Sequence, residues 1–372
     1  MKIIIDCFKL IKGNGKSIGI YNVAKRIVHF LSEFKNKAEK LKDVEIIVIG
    51  NKFNSDDMNL ENIKFISVDE LNPFNKLHCI IWELIFVNKY IKKYNADKVL
   101  FPRGFTSINC PAEDIIIVHD MIPFYYDEYF KGYFNRIENF YIMNRMKWSI
   151  KNAKKIITIS NESKNDIIKI CGIDENKIKV IYNAYYPLEI DKRSISNKKD
   201  YICAITSKMP HKNLNGIIES YKSYCSKTSD VLKLKIIGVD NIDEYNLPDS
   251  VKRNITCYKY IKSDKDLQKL VGESKLLLFL SMKEGFGLPP IEAMQLGVPV
   301  IYFDTSSLPE ICGEAGIKVR LNDYDEVANK MIQVINNDEE YNRIVEAGYK
   351  NIERFNIELH VKQYIDVIVN GK

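Results

Sequence analysis

Between residues 276 and 303 the chain passes from a purely apolar run, Leu276–Leu280, through a glycine loop into a helical pattern, and then into a second apolar run, Val298–Phe303. A short apolar run with no alternation reads as a parallel strand buried on both faces. Gly285 and Gly287 follow it, where the backbone can bend sharply and approach a ligand. Pro289 and Pro290 suit the first turn of a helix, Ile291 and Met294 recur at helical spacing, and Gly297 is placed to end it. A strand, a glycine loop, a helix N-terminus and another strand form a unit that holds an anion on free N–H groups. That unit commits the chain to an open α/β architecture.

Two carboxylates set this loop apart from an ordinary dinucleotide-binding turn. Glu284 stands just before the glycines and Glu292 in what reads as the first helical turn, eight residues on. A carboxylate repels phosphate but accepts hydrogen bonds from hydroxyls. A ligand with a sugar at each end of a diphosphate, a nucleotide sugar, reconciles the two. The plainer reading makes Glu292 a partner of the helix dipole and Glu284 a solvated loop acid.

The string Glu284-Gly-Phe-Gly-Leu-Pro-Pro-Ile-Glu292, with Ala293-Met294 and Gly297-Val-Pro-Val300, resembles the signature of the family 4 retaining glycosyltransferases. Further stretches resemble that family in its own order: Ile117–Pro123, Ile156–Ser160, Lys177–Asn183, His211-Lys-Asn213 and Leu308–Ile311. The resemblance implies a GT-B fold, in which two Rossmann-like domains flank an interdomain cleft. It implies an acceptor-binding domain over 1–186, a nucleotide-sugar domain over 187–355, and a terminal helix over 356–372 that packs back on the first domain. It also implies retention at the donor carbon, with a nucleotide-diphosphate sugar as donor substrate, no cofactor and no metal. The residues agree so far as no Asp-x-Asp or metal-ligand spacing stands near the loop.

By the same resemblance Lys212 neutralises the leaving diphosphate, while His119 contacts the transferred sugar and Glu284 the donor. Gly285, Phe286, Gly287, Leu288 and Glu292 form the donor loop. Gly19, in Ser17-Ile-Gly19-Ile-Tyr21 of the first strand–helix loop, faces the donor phosphate. The family carries a second basic residue six positions before its lysine; here that position is Thr206, and Lys208 is the candidate substitute. Asp120 either orients His119 or caps the next segment. Asn183 is read as structural.

Length and charge bound these readings. At 372 residues two domains are expected, and eight scattered cysteines without a CxxC pair suit free thiols in a reducing compartment. The N-terminal strand Lys2–Asp6 is too short for a signal-peptide core, and Cys79–Val87 is broken by Glu83, so a cytoplasmic protein is expected, at or near the inner face of the membrane. Residues 1–190 hold 29 Lys and Arg against 23 Asp and Glu, whereas the remainder is balanced at 26 and 26. Anionic membrane or a pyrophosphate-bearing acceptor would be drawn to the first half, with Lys131–Lys155 as the best patch. An ordinary lysine-rich surface accounts for the excess equally well.

Strands are expected at Lys2–Asp6, Glu45–Ile49, Lys98–Phe101, Asp114–His119, Lys155–Ser160 and Val180–Tyr182. Tyr21–Phe34 and Ile80–Tyr94 read as helices, and Tyr185–Asp200 as a linker. The second half repeats the alternation: strands at Tyr201–Thr206, Leu232–Gly238 and Ile255–Tyr258, helices from Leu214 and near Asp264–Val271, and a terminal helix Ile357–Val369. The leading function is transfer of a hexose, with a lean to mannose, from a nucleotide sugar to a glycan or lipid-linked glycan of a bacterial surface polysaccharide. The alternatives are a catalytically weak nucleotide-sugar-binding subunit and an epimerase or phosphorylase of the same fold. A nicotinamide dehydrogenase is excluded because no glycine fingerprint opens either sheet, and nucleic acid is not an expected partner.

Overall fold

The computed structural model describes residues 1–13, 18–185, 188–190 and 197–371. The chain falls into two compact units, Met1–Asn183 with Ile357–Lys372, and Ala184–Asn356. Parts of the sequence-predicted linker (186–187 and 191–196), and Gly15 and Ser17 of the first strand–helix loop, lie outside the described residues.

The first unit is built on seven parallel strands: β1 (Lys2–Asp6), β2 (Glu45–Gly50), β3 (Lys64–Ser67), β4 (Lys98–Phe101), β5 (Glu113–Val118), β6 (Lys155–Thr158) and β7 (Ile178–Val180). Their order is β3-β2-β1-β4-β5-β6-β7. Register places Ile4 beside Ile47 on one side and Val99 on the other. Ile4, Ile47 and Ile116 are fully buried in one core cluster with Trp82. Helices on both faces explain why these strands are runs of Ile and Val without alternation.

The second unit repeats the plan with β8 (Tyr201–Ile205), β9 (Lys233–Ile237), β10 (Ile255–Tyr258), β11 (Leu276–Phe279), β12 (Val300–Phe303) and β13 (Ile317–Val319), in the order β10-β9-β8-β11-β12-β13. In both sheets the chain winds outward one way from the first strand and then returns to wind the other way. The reversal lies between β1 and β4 in the first unit and between β8 and β11 in the second. Such a switch point opens a crevice outside the carboxyl ends of the strands, and the loops that follow them line it.

Several boundaries differ from those read off the sequence. β3 and β13 are edge strands whose short sequences, KFIS and IKV, carry a lysine and offer little apolar signal. β5 stops at Val118, so His119 stands just past the strand, and β6 stops at Thr158 because Ser160 caps the helix Asn161–Cys171 by accepting from Ser163 N at 3.0 Å. β7 lies two residues earlier than expected. The first helix begins at Ile18, which puts Gly19 in its first turn rather than in the preceding loop.

The helix expected at Ile80–Tyr94 starts earlier and is composite. It runs as α-helix over Lys76–Ile81, as a π-helical turn over Trp82–Phe86, and again as α-helix over Val87–Lys93. The C-terminal helix Ile357–Asn370 belongs to the first unit. It buries Val361, Tyr364, Ile365, Val367 and Ile368, and Lys98 Nζ donates to Val369 O at 3.2 Å. Among the described residues no helix is long and apolar enough to cross a membrane.

Candidate active site

At the second unit's switch point, three loops are tied together through short polar side chains. After β8 the chain makes a single 3-10 turn, Pro210–Lys212, and reaches Asn213 in the left-handed region (φ 54°). Asn213 Oδ1 accepts from Gly216 N at 3.0 Å, capping the helix Leu214–Lys227, while its Nδ2 donates to Leu280 O at 3.1 Å, just past β11. A Cβ at position 216 would lie 2.3 Å from the Asn213 side chain, so this cap requires glycine. Met282 N donates to His211 O at 2.7 Å, a second tie between the same loops. The geometry therefore fixes where Lys212 starts.

The Lys212 ammonium lies 2.6 Å from Glu284 Oε1, so two of the sequence-predicted site residues are in direct contact. Glu284 is buried and Lys212 about a quarter exposed, which leaves the ammonium partly open to solvent. His211 beside them is buried, and burial, reinforced by the Lys212 charge, holds its imidazole down to about 4. It is neutral at physiological pH and adds no charge to the site.

Glu284 is held by residues that the sequence analysis did not select. Ser306 Oγ accepts from Glu284 N at 3.0 Å and donates to Glu284 O at 2.8 Å, while Ser307 Oγ reaches Phe286 O at 2.7 Å. Ser306 holds a left-handed φ of 57°, an uncommon conformation for serine that costs energy and is retained where surrounding contacts fix it. The only signal available was the position of this Ser-Ser pair directly before the Leu308-Pro309-Glu310 helix start.

Gly285 and Gly287 are both buried, and Gly287 (φ 113°) is the N-cap of the helix Leu288–Gln295. A side chain there would be strained and would press on Leu308. The Phe286 ring turns into the core, edge-on to Phe355 at 5.5 Å, so this position anchors the loop rather than offering an aromatic face. Leu288 is half-buried at the first helical position. Glu292 is the fifth helical residue, just past the first turn in which the sequence reading placed it. The helix dipole therefore explains it less well.

Thr206 occupies the place of the family's second basic residue. It is buried, and its Oγ1 donates to Lys212 O at 2.8 Å. Gly238 packs so closely here that a Cβ on it would lie 1.9 Å from Thr206 O. Thr206 thus fastens the loop that carries Lys212. Lys208 is about half exposed and pairs with Asp240 at 3.0 Å, on the loop after β9.

The first unit's switch point has a different chemistry. A pocket of about 900 Å³ opens there, with Lys9, Glu83, Arg103 and His119 among its lining residues. Glu83, buried on the π-helical turn, pairs with Lys9 and with Arg145 Nε at 3.2 Å. Beneath them Asp6 accepts from Trp82 Nε1 at 3.0 Å, and burial pushes its carboxyl up to about 6. His119 is buried, and its Nε2 donates to Pro102 O at 2.7 Å, leaving Nδ1 as the ring's acceptor. Burial lowers this imidazole to about 4. Asp120 accepts from Ile122 N at 2.9 Å, an Asx turn that leads into the helix Ile122–Tyr129, whose N-cap is Met121. Gly19 is exposed, and a Cβ there would meet nothing, so packing does not demand glycine.

Sequence reasoning placed none of Lys9, Glu83 and Arg103 at a site, and it counted Arg145 in the basic surface patch Lys131–Lys155, whereas Arg145 is buried against Glu83. Among the described residues no three His, Cys, Asp or Glu side chains gather as a metal site.

Comparison with solved structures identifies the fold. WaaG, a glycosyltransferase involved in lipopolysaccharide biosynthesis, superposes with a TM-score of 0.69 at 13% identity over 99% of both chains. Anabaena HepE, solved in complex with UDP, gives 0.69 at 14% identity over the full length of both. The fold is GT-B. The model for "Glycosyltransferase Family 4" matches residues 42–186, and that for "Glycosyl transferases group 1" continues over 187–351. The chain belongs to the family 4 glycosyltransferases and is a retaining glycosyltransferase.

Among curated relatives, the O-antigen chain mannosyltransferase RfbU of Salmonella typhimurium is 29% identical over 69% of this chain and 71% of its own length. O-antigen chain mannosyltransferase B of Escherichia coli is 28% identical over 53% of this chain and 56% of its own. CapM of Staphylococcus aureus, a capsular polysaccharide glycosyltransferase, is 27% identical over 54% of this chain and 57% of its own. The match thus spans less than two thirds of the last two proteins.

Proposed function

We propose that this glycosyltransferase moves a hexose, with mannose the leading candidate, from a nucleotide-diphosphate sugar to a growing surface glycan on the cytoplasmic side of the membrane. The contact between Lys212 and Glu284 carries the reading. It sets one partly open ammonium beside one anchored carboxylate, directly before a glycine-capped helix N-terminus. A diphosphate leaving group gains negative charge as the glycosidic bond breaks, and a fixed ammonium, with the Gly287 and Leu288 N–H groups at the helix start where Pro289 and Pro290 have none, stabilises that charge most where it develops. Glu284 accepts from the donor sugar's hydroxyls and Glu292 from the ribose. His119, neutral and with Nδ1 as acceptor, contacts the transferred sugar and is not a base for the reaction. The choice of mannose and of a surface glycan is supported by the likeness to RfbU and mannosyltransferase B. No resident cofactor or metal enters this scheme.

The test is a panel of UDP-, GDP-, dTDP- and ADP-sugars, with mannose and glucose forms of each where they exist, read first as thermal stabilisation and then as sugar release or transfer. One nucleotide class should raise the melting temperature by mass action. Glu292→Gln should weaken that donor by about 1–3 kcal/mol. Unchanged donor affinity would remove Glu292 from the ribose, and a mannose donor that neither binds nor reacts would remove mannose.

A further inference from the structure

We infer that Lys198 is a positioning residue for the donor, acting on the bound diphosphate from the far end of the helix Leu288–Gln295; this rests on the reading of that helix's start as the diphosphate site. The Lys198 ammonium donates to Gly272 O at 2.6 Å and to Leu296 O at 3.3 Å. Gly272 ends the helix Asp264–Gly272, and Leu296 is the C-cap of the helix Leu288–Gln295. Helix ends leave such carbonyls without an intrahelical donor and carry partial negative charge, so one cation serves two of them. The chain beside Lys198 is fixed as well: Lys199 N donates to Glu273 O at 2.7 Å, and Lys275 Nζ lies 2.8 Å from Asp200. Lys198 therefore holds the donor helix at the end opposite the diphosphate.

Its charge has no acid to meet it. The side chain is half-buried, and among the described residues no carboxylate is paired with it. Glu273 is held by Lys199 at 2.7 Å, and Asp200 by Lys275. The other ionisable groups in the last turns of the two helices are Lys269 and Glu292, and beside Gly297 stands Tyr349 of the helix Asp338–Ile352, kept protonated by burial. None of these acts on Lys198: burial alone pushes its ammonium down to about 8. A buried ammonium without a carboxylate is costly. What offsets the cost here is two helix ends and, once donor binds, an anion on the same helix axis.

Eight residues set the ends of the helix Leu288–Gln295 about 12 Å apart. Across a partly buried path of that length, unit charges attract enough to change affinity by roughly three- to tenfold. The coupling is reciprocal: what the ammonium adds to diphosphate affinity, the diphosphate adds to the proton affinity of Lys198. Donor binding should therefore take up a proton at mildly alkaline pH, which a lysine of purely structural role would not do.

The experiment uses the full chain and UDP, GDP, dTDP and ADP at low salt, with affinity read by calorimetry at about pH 7. Proton uptake is read at about pH 8.5 in two buffers of different ionisation enthalpy. The tightest of the four nucleotides should bind with uptake of about 0.3–0.5 proton per chain. Lys198→Arg keeps the charge but does not titrate, so affinity should stay within about twofold while that uptake disappears. Lys198→Met removes the charge, so the uptake should disappear and affinity should fall by roughly three- to tenfold. Protons moved by other groups remain in both variants and cancel in the differences. Absent uptake in the wild type, or equal uptake in Lys198→Arg, would overturn the inference, and these two readings decide it even where Lys198→Met does not fold. Unchanged affinity in a folded Lys198→Met would overturn it too. Failure of all four nucleotides to bind the wild type would remove the donor-site reading and this inference with it, whereas binding without uptake removes this inference alone.

Discussion

The two switch points arise from the same winding of parallel strands and yet are stabilised by opposite means. In the second unit, hydroxyls and an amide hold the loops: Thr206, Asn213, Ser306 and Ser307 bond to backbone atoms, and the Lys212–Glu284 pair keeps its lysine partly in solvent. In the first, a carboxylate on a π-helical turn is buried with two cations. Neutral ties set a geometry without consuming charge, which leaves Lys212 free to respond to a ligand. A buried ion cluster commits its charges to one another, and removing one member leaves the others costly. Topology decides where a crevice opens; the residue types decide whether it is prepared for diphosphate chemistry or for binding.

The largest expected effect tests that contrast on stability. Glu83→Gln should destabilise the protein by about 3–5 kcal/mol, because Lys9 and Arg145 lose their shared carboxylate. Glu284→Gln should cost far less, since Lys212 can turn to water. Chemical denaturation of both variants, with equal losses, would break the distinction. Turnover should separate the sites in the opposite order. Lys212→Ala should reduce it by about 10²-fold or more, as the charge on the leaving diphosphate goes unmet. His119→Ala should also reduce turnover while the free nucleoside diphosphate binds about as well. Wild-type turnover in both variants would favour a sugar-nucleotide-binding subunit.

Titration offers a third contrast. Asp6 is raised in the fold, so its contribution to stability is complete below about 4 and is lost as pH rises through about 6, a cost of at most about 3 kcal/mol. His211 is lowered, so its contribution is present above about 6.5 and is lost as pH falls towards about 4. Subtracting the pH–stability curves of Asp6→Asn and His211→Gln from that of the wild type should give slopes of opposite sign. Slopes of the same sign would contradict the environments described for one of these groups. The smallest effect belongs to Lys208→Ala. Its exposed pairing with Asp240 is of a kind worth little, and turnover should change by less than about threefold. A larger loss would make Lys208 the second cation of the donor site.

Much of the architecture was legible because buried parallel strands are written as unbroken runs of Ile, Leu and Val. Leu276–Phe279 and Lys98–Phe101 could hardly be anything else. Two of the four edge strands, β3 and β13, were not legible, since KFIS and IKV offer only two apolar residues each; β10 was read, and β7 two residues off. The donor loop was readable from its own residues because glycine, proline and carboxylate each have a local reason to be there. What fastens it was hidden: Ser306 and Ser307 are twenty residues further on, and only pairing of β11 with β12 brings their loop alongside. Glu83 was read merely as an interruption of an apolar run. Its role depends on Lys9 and Arg145, 74 and 62 residues away.

The π-helical turn Trp82–Phe86 bears on how this chain can change by insertion and deletion. Such a turn holds one more residue than the α-helical rungs around it. Deleting a single residue there would let the segment from Lys76 to Lys93 close into regular α-helix, and because the turn already absorbs the extra residue, the faces on either side of it would keep their places in the core. What would change is the turn itself, which carries Trp82 and Glu83 with their bonds to Asp6, Lys9 and Arg145. The buried acid is therefore tied to the extra residue rather than to the length of the whole helix. Homologues one residue shorter here should lack the acid and its two cations together, and the three positions should be gained or lost as a set.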